Sequence, residues 1–161
     1  MHDACREIFK RFVLRHMDKE KECKILEVGS RNINGTMRKQ ADSKKWEYTG
    51  IDIIDGDCVD IIVKEHDWDN IENNYYDYVI SSQAFEHIRY PWVVAKLVYD
   101  KCKDGGKICI IAPNRHHYHP HPVDCYRYMK DGFEALFSEW AGFKTILCAH
   151  GGDDTYYWGQ K

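Results

Sequence analysis

Two short stretches constrain this chain most: Ile25-Leu26-Glu27-Val28-Gly29-Ser30, and, about 20 positions on, Gly50-Ile51-Asp52-Ile53. The first reads as a buried parallel strand that ends in an acidic residue and a glycine turn. The second is a strand that ends in a carboxylate. In a doubly wound sheet such strand ends share one crevice, where adenosine-containing ligands bind. Gly29 lets backbone approach a ligand because no Cβ stands in the way. Asp52 can accept hydrogen bonds from a ribose diol.

The rest of the chain alternates strand and helix patterns. Apolar residues Ile8, Phe9, Phe12 and Val13 predict a helix over 4–17, followed by the first strand over 24–28. A crossover helix is expected to begin at 36–40, with a second strand over 47–53 and a third over 58–63. The run 77–81 is apolar enough for a central parallel strand. Pro91 suits the first turn of a helix to about 102, with Val94, Leu97 and Val98 on its inner face. A turn at 104–106 leads to a fifth strand over 107–112. Phe133, Leu136, Phe137 and Trp140 follow the spacing of an amphipathic helix. Segments 143–148 and 155–159 read as a closing hairpin around 151–154. The pattern predicts an α/β fold, a mostly parallel sheet with helices on both faces.

At 161 residues the chain is expected to form a single domain, 1–161. A net charge of −3 argues against a nucleic-acid partner held by phosphate neutralisation. Seven cysteines without a C-x-x-C pair fit reduced thiols in a cytoplasm. No apolar run approaches the roughly 20 residues of a membrane span, and charges from Asp3 to Arg15 speak against a secretory leader.

The residues just past the first strand narrow the choice of ligand. A nicotinamide dinucleotide fingerprint requires Gly-x-Gly-x-x-Gly, but the positions here are Gly29, Arg31 and Asn34. Glu27, two residues before the glycine, would repel a pyrophosphate and attract an ammonium or sulfonium cation. Glu27-Val28-Gly29 with Asn34-Gly35, then Tyr48-Thr49-Gly50-Ile51-Asp52, resembles motifs I and II of the class I S-adenosylmethionine-dependent methyltransferases. Residues 76–87, ending in Glu86-His87, resemble that superfamily's fourth-strand motif, and Asp104-Gly105-Gly106-Lys107 its turn into the fifth strand. Asp67-Trp68 and the stretch from His119 to Arg127 resemble a small, type 11-like subgroup. The glycine loop departs from the usual Gly-x-Gly-x-Gly.

The resemblance implies a seven-stranded sheet of order 3-2-1-4-5-7-6 with an antiparallel seventh strand. It implies methyl transfer from S-adenosylmethionine to an oxygen or nitrogen of a small-molecule acceptor, leaving S-adenosylhomocysteine. Glu27, Gly29, Ser30, Gly35, Asp52, Ile53, Asp67, Trp68, Ser82 and Gln83 are the expected cofactor residues. Among them, Glu27 would orient the amino group, Asp67 would meet the adenine amino group and Trp68 would cover the ring. His119 or Asp124 is the expected general base, and His87, His121 and Arg127 are the expected substrate residues; the alternative for Asp124 and Arg127 is that they pair with each other and fasten the loop. Two other readings stay open: a non-catalytic domain that binds the cofactor, and a metal protein using the loop His116-His117-Tyr118-His119-Pro120-His121. No metal is assigned, because no cysteine pair completes a zinc site.

Overall fold

The computed structural model describes residues 3–41 and 43–161. Seven strands form one sheet: β1 Cys23–Val28, β2 Trp46–Asp52, β3 Ile61–Ile62, β4 Tyr76–Ser82, β5 Cys102–Pro113, β6 Lys144–Gly151 and β7 Asp154–Gln160. Their order is β3-β2-β1-β4-β5-β7-β6, as the resemblance implied. β1 to β5 run parallel to one another, and β7 is antiparallel to both β5 and β6. The order reverses between β1 and β4, so a crevice opens at their carboxyl ends.

The central strands are buried on both faces, and side chains alternate between two cores. One face carries α1, Asp3–His16, whose Phe9 and Phe12 pack with Ile25, Ile80, Ile111 and Trp158. The other carries α2, Pro91–Lys101, and α3, Lys130–Phe133, packed over Leu26, Val79, Ile108 and Ile110. Pro91 stands in the first turn of α2, where no intrahelical bond needs its missing N–H.

Four elements depart from expectation, each for a local reason. Among the described residues no crossover helix forms after β1; residues 36–40 make a single turn, in which the amides of Gln40 and Ala41 donate to the Met37 carbonyl. In that segment the buried apolar side chains are Met37 and Ala41. Burying one Met gains roughly 1.5–3 kcal/mol, against about 1–2 kcal/mol per ordered residue, so a longer helix has too little to hold it. β3 shrinks to two residues because Cys58 adopts a left-handed φ of 71° and Asp60 folds back to accept from the Gly50 amide.

β5 starts at Cys102 and absorbs the expected turn, with Gly105 at φ 78° and a register shift against β4 between Tyr76 and Tyr78. α3 runs on into a π-helical stretch, Glu134–Ala141, closed by Gly142 at φ 106°. Its i→i+5 bonds wind the chain more widely than an α-helix. Phe133, Phe137 and Ala141 therefore fill the core, while Trp140 rotates outward to 53% exposure. Its indole N–H donates to the Trp92 carbonyl at 2.9 Å.

Candidate active site

A cleft of about 480 Å³ opens over the carboxyl ends of β1, β2 and β4, within the usual range for a small-molecule site. Its first wall is the turn after β1. Gly29 has φ 74°, and a Cβ there would lie 2.4 Å from Ala84 Cβ, so this position is closed to any side chain. The Gly29 and Ser30 amides both donate to the Ile51 carbonyl, which binds the turn to β2. Gly35 comes next with φ 118°, its amide donating to Asn32 Oδ1.

Two carboxylates stand in this half. Glu27 is 3% exposed, and accepts from the Tyr48 hydroxyl at 2.7 Å. Burial pushes its carboxyl up to about 7; the Tyr48 hydroxyl and the Arg38 charge only partly offset that. Arg38 lies over the Tyr48 ring and pairs with Asp60. Asp52, at the tip of β2, accepts from the Arg31 and Ile54 amides at 3.2 and 3.1 Å. Backbone thus fixes its carboxylate, which keeps lone pairs for a ligand.

Ile53 and Ile54, both exposed large apolar residues, line the cleft beside Val63 and Trp68. Trp68 is 2% exposed and belongs to the core, yet it forms cleft wall, and its Nε1 has no hydrogen-bond partner. Asp67 lies outside the lining. Its carboxylate faces Lys64 at 2.9 Å, and the pair is solvent-exposed. Ser82 and Gln83 line the cleft past β4. Ser82 Oγ is buried and has no partner, whereas the Gln83 side-chain amide donates to Asp154 at 2.9 Å.

The far half is built from the turn after β4 and the histidine loop. Glu86, His87, His116, His119 and His121 all line it. Glu86 is fully buried, its carboxyl pushed up to about 8 by loss of solvent. His87 is shifted downward by the same cause.

Asp124 and Arg127, expected as base and substrate clamp, do not line the cleft. They form a bidentate pair at 2.6 and 2.8 Å, and the His119 amide adds a third bond to Asp124. The guanidinium holds the Asp124 carboxyl well below the usual carboxylate range. A carboxylate so held is a poor proton acceptor. Arg127 also donates to the carbonyls of His116 and His117, so this pair fastens the loop.

Sequence reasoning underused Glu86: it stood out as half of a Glu-His pair, but nothing in the sequence shows that its oxygens are enclosed beside two imidazoles. The exposed Ile54 and Ile33 of the lining were likewise passed over.

The same fold recurs among solved structures. An S-adenosylmethionine-dependent methyltransferase from Aquifex aeolicus superposes with TM-score 0.71 at 16% identity, over 99% of this chain and 93% of its own. Another, from Archaeoglobus fulgidus, gives 0.70 at 16% identity, over 97% and 94%. The Burkholderia thailandensis 1,6-didemethyltoxoflavin-N1-methyltransferase, with bound 1,6-didemethyltoxoflavin and S-adenosylhomocysteine, gives 0.78 at 10% identity, over 99% and 78%. Among curated protein sequences none matches the chain. The profile of a methyltransferase domain family matches residues 1–144. With nearly all of the chain inside that match, and the sheet order of the fold in place, the chain belongs to this family and is an S-adenosylmethionine-dependent methyltransferase.

Proposed function

We propose that the enzyme methylates an oxygen or nitrogen of a small-molecule acceptor, bound in the histidine-lined half of the cleft. The observation that carries this reading is the division of one enclosed cleft. Two carboxylates stand at adjacent strand ends in one half, and imidazoles line the other.

The residues present fit the cofactor. S-adenosylmethionine supplies a methyl group on a sulfonium centre, made electrophilic by its positive charge. Asp52 is the acceptor for the ribose hydroxyls, since its backbone bonds leave lone pairs on both oxygens. Glu27, ionised, faces the ammonium group and compensates it at close range. Ile53, Ile54 and Val63 give the adenine an apolar seat, with Trp68 as its floor. The buried Ser82 Oγ and Trp68 Nε1, which lack partners in the protein, are satisfied by a polar ligand. Gly29, Ser30 and Gly35 shape the turn, and Gln83, held by Asp154, sets the wall between the two halves. Asp67 has no part in this reading.

His119 serves the acceptor end. Its Nδ1 lies 2.9 Å from the His117 carbonyl and 3.3 Å from Asp124, which makes Nδ1 the protonated nitrogen and turns the Nε2 lone pair toward the cleft. That lone pair is the group that meets the acceptor's hydroxyl or amine. Asp124 and Arg127 hold the ring in place. Catalysis then rests mainly on proximity, with the reacting atoms held in line about 3–3.5 Å apart.

None of the described helices is long and apolar enough to cross a membrane, and among the described residues the seven cysteines form no disulfide. Seven thiols in one small chain support the reducing cytoplasm as the working compartment.

Methyl-labelled cofactor tests the acceptor class. Incubated with enzyme and a cell extract separated into metabolites, protein and nucleic acid, label is expected in the metabolite fraction. Label that instead appears in protein or nucleic acid overturns the small-molecule reading.

A further inference from the structure

At the acceptor end, the buried carboxyl of Glu86 and the imidazoles of His87 and His119 converge on one point. Glu86 Oε1 lies 3.7 Å from His87 Nε2 and 4.0 Å from His119 Nε2, and the three ligand atoms all fall within 4.8 Å of one another. Glu86 is fully buried, lines the cleft, and neither of its oxygens hydrogen-bonds to another residue. The Arg127 guanidinium, the nearby permanent positive charge, is paired with Asp124.

The tautomers are set by the opposite ring nitrogens. His87 Nδ1 lies 2.6 Å from the Val123 carbonyl oxygen, which only accepts, so Nδ1 carries the hydrogen. His119 Nδ1 lies 2.9 Å from the His117 carbonyl and 3.3 Å from the Asp124 carboxylate, both nearer than the Arg127 guanidinium at 3.5 Å, so the closer acceptors favour a hydrogen there. Both rings therefore turn Nε2 toward the Glu86 carboxyl. A cation at that point would be within reach of all three groups.

We propose that Glu86, His87 Nε2 and His119 Nε2 form a seat for a divalent transition-metal cation at the acceptor end of the cleft. Two imidazoles and one carboxylate form a donor set that suits zinc, cobalt(II), manganese(II) or iron(II) rather than magnesium or calcium. Ligating histidines characteristically give their other ring N–H to a carbonyl or carboxylate, as both rings do here. Bonds of about 2.0–2.2 Å bring ligand atoms closer than they stand, so a small inward turn of the rings completes the set. The histidine-rich loop contributes only His119 of the three; the His116 and His117 rings lie against each other, tilted by 35° with centroids 4.1 Å apart.

Three protein ligands leave positions open toward the cleft. This rests on the small-molecule reading and deepens it: the acceptor is a hydroxyl compound whose oxygen binds the cation. The cation lowers the hydroxyl pKa, so its proton leaves to water. The oxygen's lone pair forms the new O–C bond, and the S–C bonding pair stays on sulfur as the thioether. His119 then acts on the acceptor through the cation.

The test uses untagged full-length protein, stripped with a chelator and titrated with cobalt(II) and zinc by calorimetry and visible absorption. One equivalent is expected to bind at micromolar strength, with cobalt giving the absorption of a nitrogen- and oxygen-ligated site. Glu86→Gln, which keeps the side chain's shape, is expected to weaken binding by at least about 100-fold while still binding S-adenosylhomocysteine. The site is refuted by wild-type protein that takes up neither ion in stoichiometric amount, or by a Glu86→Gln variant that binds them unchanged. S-adenosylhomocysteine binding, measured in the same samples, separates the two readings. Cofactor binding without metal removes only the cation site, and metal binding without cofactor removes only the cofactor half of the cleft.

Discussion

Glu27 carries the sharpest conflict between stability and use. Its carboxyl titrates at about 7 in the fold against 4.5 unperturbed, because burial disfavours the charge. A raised carboxyl is protonated in the native state while already ionised in the unfolded one. Stability is therefore lost as pH rises from about 4.5 to about 7, and the loss is complete above that. At 1.36 kcal/mol per unit, the full cost is about 3 kcal/mol. Glu27→Gln keeps an acceptor for Tyr48 and removes the charge. Its urea midpoint is expected to exceed the parent's at pH 8 and to approach it at pH 5, while its affinity for S-adenosylmethionine falls. An equal difference at both pH values would show that ionisation is not the cause. The sequence disclosed the type and place of Glu27, but its raised titration comes from burial by the assembled fold, which Tyr48 and Arg38 from other segments only partly offset.

At the scale of elements, legibility tracked how far each segment depends on its own pattern. α1, β1, β2, β4 and α2 carry periodic apolar residues, and their limits fall within two residues of expectation. The segment at 36–40 failed because it has little apolar surface to bury, and β3 because Asp60 turns back to Gly50 and Arg38, so its regular structure gives way. The π-helical stretch is a subtler case. Its apolar residues read correctly as an inward face, but the wider winding exchanges Trp140 for Ala141. Phe137→Ala is expected to cost about 3–5 kcal/mol, and Trp140→Ala under about 1 kcal/mol, in denaturant unfolding. Comparable losses at the two positions would mean that the helix is wound as an ordinary α-helix.

Across the whole molecule, the sheet order places the β1–β4 switch point where the chain supplies acids on one side and histidines on the other. That placement was legible because Glu27, Gly29 and Asp52 lie at strand ends whose positions the crossover rules dictate. The histidine loop was not legible in the same way. Asp124 and Arg127 read either as a base and a clamp or as a pair that fastens the loop, and their bidentate contact decides for the pair. Both halves of the cleft depend for their use on the adenosyl site. Calorimetric titration of S-adenosylmethionine, S-adenosylhomocysteine and NAD into wild type and Asp52→Ala tests it most directly. The account predicts micromolar binding of the two sulfur compounds, its loss in the variant, and no binding of NAD. Folded wild-type protein that binds neither sulfur compound, or binds them equally well without the Asp52 carboxylate, would contradict it.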